Sequence, residues 1–132
     1  GSRAATDITG FGLLGHLVEM VRASEVDVVL ELDAVPLMDG ALDTVKAGIV
    51  SSLQPQNVRL RRAVSNLEEA GKDPRYPLIF DPQTAGGLLA SVPADQADAC
   101  VAALKEFGYL RTMIVGEVLE QSDRLEPITV RV

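Results

Sequence analysis

The chain is poor in the residues that build disulfides, metal cages and anion-attracting surfaces. It has one cysteine and one histidine. A single cysteine excludes an internal disulfide and suits a reducing, cytoplasmic setting. The histidine, His16, falls inside a helical pattern, so no Ser-His-Asp arrangement is supportable. With no second histidine or cysteine at ligand spacing, it reads as a boundary or hydrogen-bonded helix residue rather than a metal ligand or base. Positive charge is short as well. Twelve Lys and Arg against 19 Asp and Glu leave a net charge of −7. Such a field repels phosphate backbones and anionic headgroups, which argues against nucleic-acid and membrane partners. Phosphate can still be handled through a metal ion or a helix N-terminus. No apolar run approaches the roughly 20 residues that span a bilayer. No segment reads as a signal peptide, and no glycine-rich stretch runs into Gly-Lys-Ser/Thr, so there is no Walker loop.

What is present suits a packed domain. The 132 residues are 47% hydrophobic, enough for one domain that buries about two thirds of its unfolded surface. Gly1-Ser2 reads as a cloning scar and residues 3–132 as a single domain. The first motif follows almost at once, which suggests a piece of a longer protein.

Periodicity predicts a helix over 9–24, with Thr9 as its N-cap. Phe11, Leu13, Leu14, Leu17, Val18, Met20 and Val21 fall on one side, and Gly12, Gly15, Glu19 and Arg22 on the other. Val26 to Leu32 alternates as a strand. Asp39 to Ala47 reads as a short helix stopped by Gly48, with Asp39 and Asp43 as dipole partners. Asn57 to Ala70 reads as a helix with Leu60, Ala63, Val64 and Leu67 inward. Leu78-Ile79-Phe80 is too short to assign. Gly87 to Val92 is nearly all apolar and reads as a central strand. Ala94 to Phe107 reads as a helix burying Ala97, Cys100, Val101, Leu104 and Phe107, which makes Cys100 a core thiol. Strands follow at 112–119, with Gly116 as a bulge or close-approach point, and at 127–132. The expected class is α+β, layered, with a four-stranded mixed sheet and helices on its faces.

Two motifs could carry chemistry. Thr6-Asp7-Ile8-Thr9-Gly10-Phe11-Gly12 places a carboxylate and two hydroxyls at a helix N-terminus, where backbone N–H groups favour anions. Asp7 offers the hard oxygen that Mg²⁺ prefers beside a phosphate. The same residue types are ordinary helix caps, so chemistry alone leaves a capping role open. Asp81-Pro82-Gln83-Thr84-Ala85-Gly86-Gly87 leads into an apolar strand. It reads either as a cleft-lining loop, with Gln83 and Thr84 as hydrogen-bonding groups, or as a tight connection. Arg59, Arg61 and Arg62 read as a solvated basic face.

The first block, continued through Leu13-Leu14-Gly15-His16-Leu17, resembles the signature that opens the C-terminal domain of the selenophosphate synthetase (selenide, water dikinase) family. The second, with Leu88-Leu89, resembles that family's second C-terminal block, where the position of Ala85 is often serine. The resemblance covers about residues 3–132, within the superfamily of enzymes like aminoimidazole ribonucleotide synthetase. That enzyme has a histidine-containing first block where this chain has Asp7. The hydrogenase-maturation relative ends in a reactive cysteine, whereas this chain ends Thr129-Val130-Arg131-Val132.

The resemblance implies a reaction of ATP, selenide and water that gives selenophosphate, AMP and phosphate with Mg²⁺. It implies Asp7 as a metal ligand, and Thr6, Thr9 and Gly10 as residues contacting the nucleotide phosphates. No residue of this chain is assigned to catalysis. A missing N-terminal domain would supply the lysine, the reactive Cys or selenocysteine and most of the nucleotide site, and would form the core of a homodimer. The implied fold is partly ferredoxin-like. The alternatives are another ATP-binding synthetase of the same superfamily and a stand-alone binding or dimerisation module.

Overall fold

The computed structural model describes residues 1–132. Its five strands are β1 (Ala4–Asp7), β2 (Val26–Glu31), β3 (Leu88–Ser91), β4 (Gly116–Glu120) and β5 (Ile128–Arg131). Its helices are α1 (Gly12–Ser24), α2 (Ala41–Lys46), α3 (Gln54–Asn57), α4 (Leu67–Ala70) and α5 (Ala97–Glu106), with 3-10 turns between them. The α+β class agrees with the sequence. The strands do not gather into a single four-stranded sheet, however. They form a three-stranded mixed sheet in the order β4-β2-β5 and a separate antiparallel ribbon of β1 and β3.

The mixed sheet is built around β2, which runs antiparallel to β4 and parallel to β5. Asp27, Val28, Val29 and Leu30 are all buried, so β2 is covered on both faces despite its alternating sequence. Leu14, Leu17, Val18 and Val21 of α1 join Val28 and Leu30, Ile128 and Val130 of β5, and Ile79 and Phe80 in one core. Each such side chain contributes about 1.5–3 kcal/mol by leaving water. Gly116 is the close-approach point expected of it, because a Cβ there would collide with the Val29 carbonyl. Asp27 holds the loop after β4. Its Oδ2 accepts from the Ser122 N–H at 3.2 Å and the Ser122 hydroxyl at 2.5 Å. The Ser122 hydroxyl is the main reason its carboxyl titrates below the usual range, and Arg124 adds to the effect.

The outer edge of β5 is closed by the Val64–Asn66 segment, through one side chain and one backbone bond, rather than by a further strand. Asn66 donates to the Val130 carbonyl at 2.6 Å and accepts from the Val130 N–H at 3.0 Å, while the Ser65 N–H donates to the Ile128 carbonyl at 2.8 Å. This arrangement breaks the helix expected over 57–70. Val64 forms a bridge to Ile128 with extended backbone, so tertiary pairing overrides helical propensity. Within that span stand a 3-10 turn over Val58–Ala63 and α4, while α3 lies before it and reaches only its first residue, Asn57.

Three further features differ from the reading of the sequence. β1 was not anticipated, because its four residues read only as a lead-in to α1. β3 is not central: it lies in the two-stranded ribbon with Leu88 and Ala90 exposed. α5 buries no residue. Ala97, Cys100 and Val101 are half-buried, and Leu104 and Phe107 are exposed, so Cys100 is not a core thiol. No helix in the structure is long and apolar enough to cross a membrane.

Candidate functional site

The two motif blocks lie more than 70 positions apart in sequence, and the fold joins them. β1 pairs with β3 so that Asp7 stands opposite Leu88 and Thr6 opposite Leu89. Beyond the ribbon, three backbone bonds continue the seam. The Ile8 N–H donates to Gly87 O at 2.8 Å, the Gly86 N–H to Ile8 O at 2.9 Å and the Gln83 N–H to Thr9 O at 3.0 Å. Gly86 permits this contact, since a Cβ there would lie 2.5 Å from Ile8 O. Gly12 permits the next one. Its φ is +70°, and a Cβ would sit 2.9–3.0 Å from the backbone of Ile79, Phe80 and Asp81.

Thr9 does not cap α1 as the sequence suggested. The helix starts at Gly12 and no side chain caps its first turn. The first of its N–H groups, on Gly12, donates instead to the Thr9 carbonyl at 3.0 Å. Thr9 turns inward to His16. The Thr9 N–H donates to His16 Nε2 at 3.0 Å, and the Thr9 hydroxyl lies 3.1 Å from the same nitrogen. An accepting Nε2 leaves the ring hydrogen on Nδ1, which faces Glu19 Oε2 at 3.3 Å. His16 is thus the hydrogen-bonded helix residue its position suggested, and its exposed neighbour Phe11 packs beside the ring at 5.5 Å between centroids.

The other sequence-derived candidates share one short stretch. Thr6 is half-buried and its hydroxyl donates to the Asp7 carbonyl at 3.1 Å. Asp7 is exposed, and its carboxylate enters no ion pair or hydrogen bond within the chain. Gly10 is exposed, with open space where a Cβ would project. In the second block, Gln83 donates to Asp81 Oδ2 at 2.8 Å, while Thr84 is exposed.

Two residues that the sequence did not single out support this stretch from below. Asn57 and Gln54 are each 6% exposed. Asn57 donates to Gly10 O and Phe80 O, and Gln54 donates to Pro77 O at 2.7 Å. Hydrophobic periodicity does not register buried amides. The available signal was two amides one helical turn apart beside a Pro.

No three His, Cys, Asp or Glu side chains converge as a metal cage would require. The donor set fits one hard oxygen delivered to a shared ion, as protein-bound Mg²⁺ commonly receives.

Residues 2–126 match the family described as AIR synthase related protein, C-terminal domain. The chain belongs to that family. Among curated proteins it is similar to a selenide, water dikinase of Clostridioides difficile (strain 630), 38% identical over 92% of this chain and 35% of the relative. A selenide, water dikinase of Pelobacter propionicus is 41% identical over 89% of this chain and 34% of its own length. One from Clostridium botulinum (strain Eklund 17B / Type B) is 36% identical over 97% and 36%. The chain therefore spans about a third of the length of the curated relatives it matches.

Proposed function

We propose that residues 3–132 form the C-terminal domain of an ATP-dependent selenophosphate synthetase, which converts ATP, selenide and water to selenophosphate, AMP and phosphate. The observation that carries this reading is the seam between the two blocks. It leaves the Asp7 carboxylate bare at the surface, a few residues before the start of α1. Asp7 holds Mg²⁺ together with carboxylates from the rest of the protein. Thr6, Thr9 and Gly10 border the phosphates: Thr9 braces the turn from beneath through His16, and exposed Gly10 contributes a backbone that a phosphate can approach without meeting a side chain. Bound Mg²⁺ neutralises charge on the transferring phosphoryl oxygens, which is the main requirement of such chemistry. The catalytic nucleophile and lysine come from an N-terminal domain, through which the full-length protein forms a homodimer.

Asp7→Asn in the full-length protein tests this reading. Asn keeps the size but removes the charge. Selenide-dependent ATP consumption is expected to fall at least a hundredfold with the melting temperature unchanged. Near-normal turnover would reject the metal role.

A second reading is a stand-alone module that self-associates. It is favoured by the exposure of Leu104, Phe107, Leu110, Met113, Ile114 and Val118 in one stretch. In the synthetase reading the N-terminal domain covers this stretch. Sedimentation of the chain alone and of the full-length protein separates the two. Self-association of the chain through this stretch, retained with the same contacts in the full-length protein, would favour the module.

A further inference from the structure

We propose that Asn57 is a positioning residue that sets the placement of the Asp7–Gly10 turn relative to the second motif block. This rests on the reading of that turn as a Mg²⁺–phosphate site. The Asn57 side-chain NH₂ has two hydrogens. One meets Gly10 O at 2.8 Å, and the other meets Phe80 O at 3.0 Å. These carbonyls belong to different blocks: Gly10 lies in the first, and Phe80 directly precedes Asp81 of the second. The backbone seam between the blocks ends at Thr9, so Asn57 extends it one residue further, to the point where the chain turns into α1. Gly10 is gripped on its carbonyl side, while the space where a Cβ would project is open. A residue held from inside and bare outside is suited to a fixed backbone contact with a phosphate.

Gln54 supplies the internal comparison. It is as buried as Asn57 and lies one helical turn earlier. It donates from the same kind of amide, but its bond is to Pro77 O and not to the first block. If buried amides here serve only the fold, the two residues behave alike. If Asn57 positions the turn, only its loss loosens the seam and weakens the metal site.

The experiment uses full-length protein carrying Asn57→Ala, Asn57→Asp, Asn57→Ser or Gln54→Ala. Asn57→Asp keeps the shape but aims oxygens at two carbonyls, and Asn57→Ser retains one short donor. The first readout is hydrogen exchange at the Gln83 and Gly86 amides, which report the seam without reference to any activity. Exchange at least tenfold faster in Asn57→Ala, and within threefold of wild type in Gln54→Ala, is expected. The second is the Mg²⁺ concentration that half-saturates selenide-dependent ATP consumption. It should rise at least tenfold in Asn57→Ala and Asn57→Asp, recover partly in Asn57→Ser, and shift less than threefold in Gln54→Ala. Equal effects of the Asn57 and Gln54 variants would overturn the proposal, as would a loosened seam with wild-type Mg²⁺ dependence. If the wild-type protein consumes no ATP with selenide, the functional reading fails by itself, and the exchange contrast alone decides whether Asn57 sets the turn. Should Asn57→Ala not fold, the isosteric Asp variant and the Ser variant carry both readouts.

Discussion

α1 and α5 have similar amphipathic sequences and opposite fates. α1 buries seven of its 13 residues and anchors the core, whereas α5 buries none of its ten. The difference lies in what each helix meets. α1 follows a seam that fixes its start, and it lies over the mixed sheet with Gly12 and Gly15 turned inward. Gly15 brings α1 close to Leu60, to which a Cβ would come within 3.0 Å. α5 instead leads into an exposed apolar stretch that runs to β4. An apolar stripe says that a helix has a face to cover; it does not say that the same chain covers it.

The largest test of this contrast is at the start of α1. Gly12→Ala combines a positive φ with contact against the backbone of Phe80 and Asp81. It should cost about 4 kcal/mol of unfolding free energy. Gly40→Ala shares the positive φ but meets open space, so it should cost about 1 kcal/mol. Equal costs in denaturant titrations would mean that close approach adds nothing at Gly12.

Core truncation compares the two helices directly. Leu14 is fully buried and Leu104 is 37% exposed. Leu14→Ala should cost about 3 kcal/mol and Leu104→Ala less than about 1 kcal/mol in this chain. In the full-length protein the cost at Leu104 should rise if the N-terminal domain covers α5.

Cys100 sharpens the same point without touching stability. Half-buried on α5, it should react with a thiol reagent in the folded chain within about tenfold of its unfolded rate. It should be protected at least a further tenfold in the full-length protein. Strong protection in the isolated chain would place α5 against a covering surface after all.

The smallest effect is a pH dependence in the packed half. Asp73 accepts from the Arg75 side chain at 2.7 and 2.9 Å. These bonds, more than the charge attraction, lower its pKa from 3.8 to about 2. Because the folded state favours the ionised form, the stability it brings is complete above 3.8 and is lost as pH falls through about 2. Asp73→Asn should lower the melting temperature by a nearly constant amount above pH 3.8 and flatten its decline in that window.

The stretch that holds the candidate site is legible in the sequence. The two blocks, Asp7 among them, announce themselves by residue type and spacing, and β2 and β5 by alternation. The seam could not be read. β1 is four residues long, below the length at which alternation separates from chance, and its partner lies more than 70 positions away. Thr9 reads as a helix cap because the sequence shows its hydroxyl and not the competing nitrogen of His16, which reaches it only once α1 has made its first turn. Asn57 looked like the first residue of a long helix, because Val64 gives no local sign that Ile128 will pair with it.

The sequence by itself determined the α+β class, the family and the stretch that holds the candidate site, because these depend on short-range periodicity and on residue identity. Tertiary structure alone decided which amphipathic faces are covered, where the strands divide into two sheets and which amides hold the motif turn. Each of those depends on contacts between residues far apart in sequence, where burial and pairing with a distant partner outweigh the local preference of the chain.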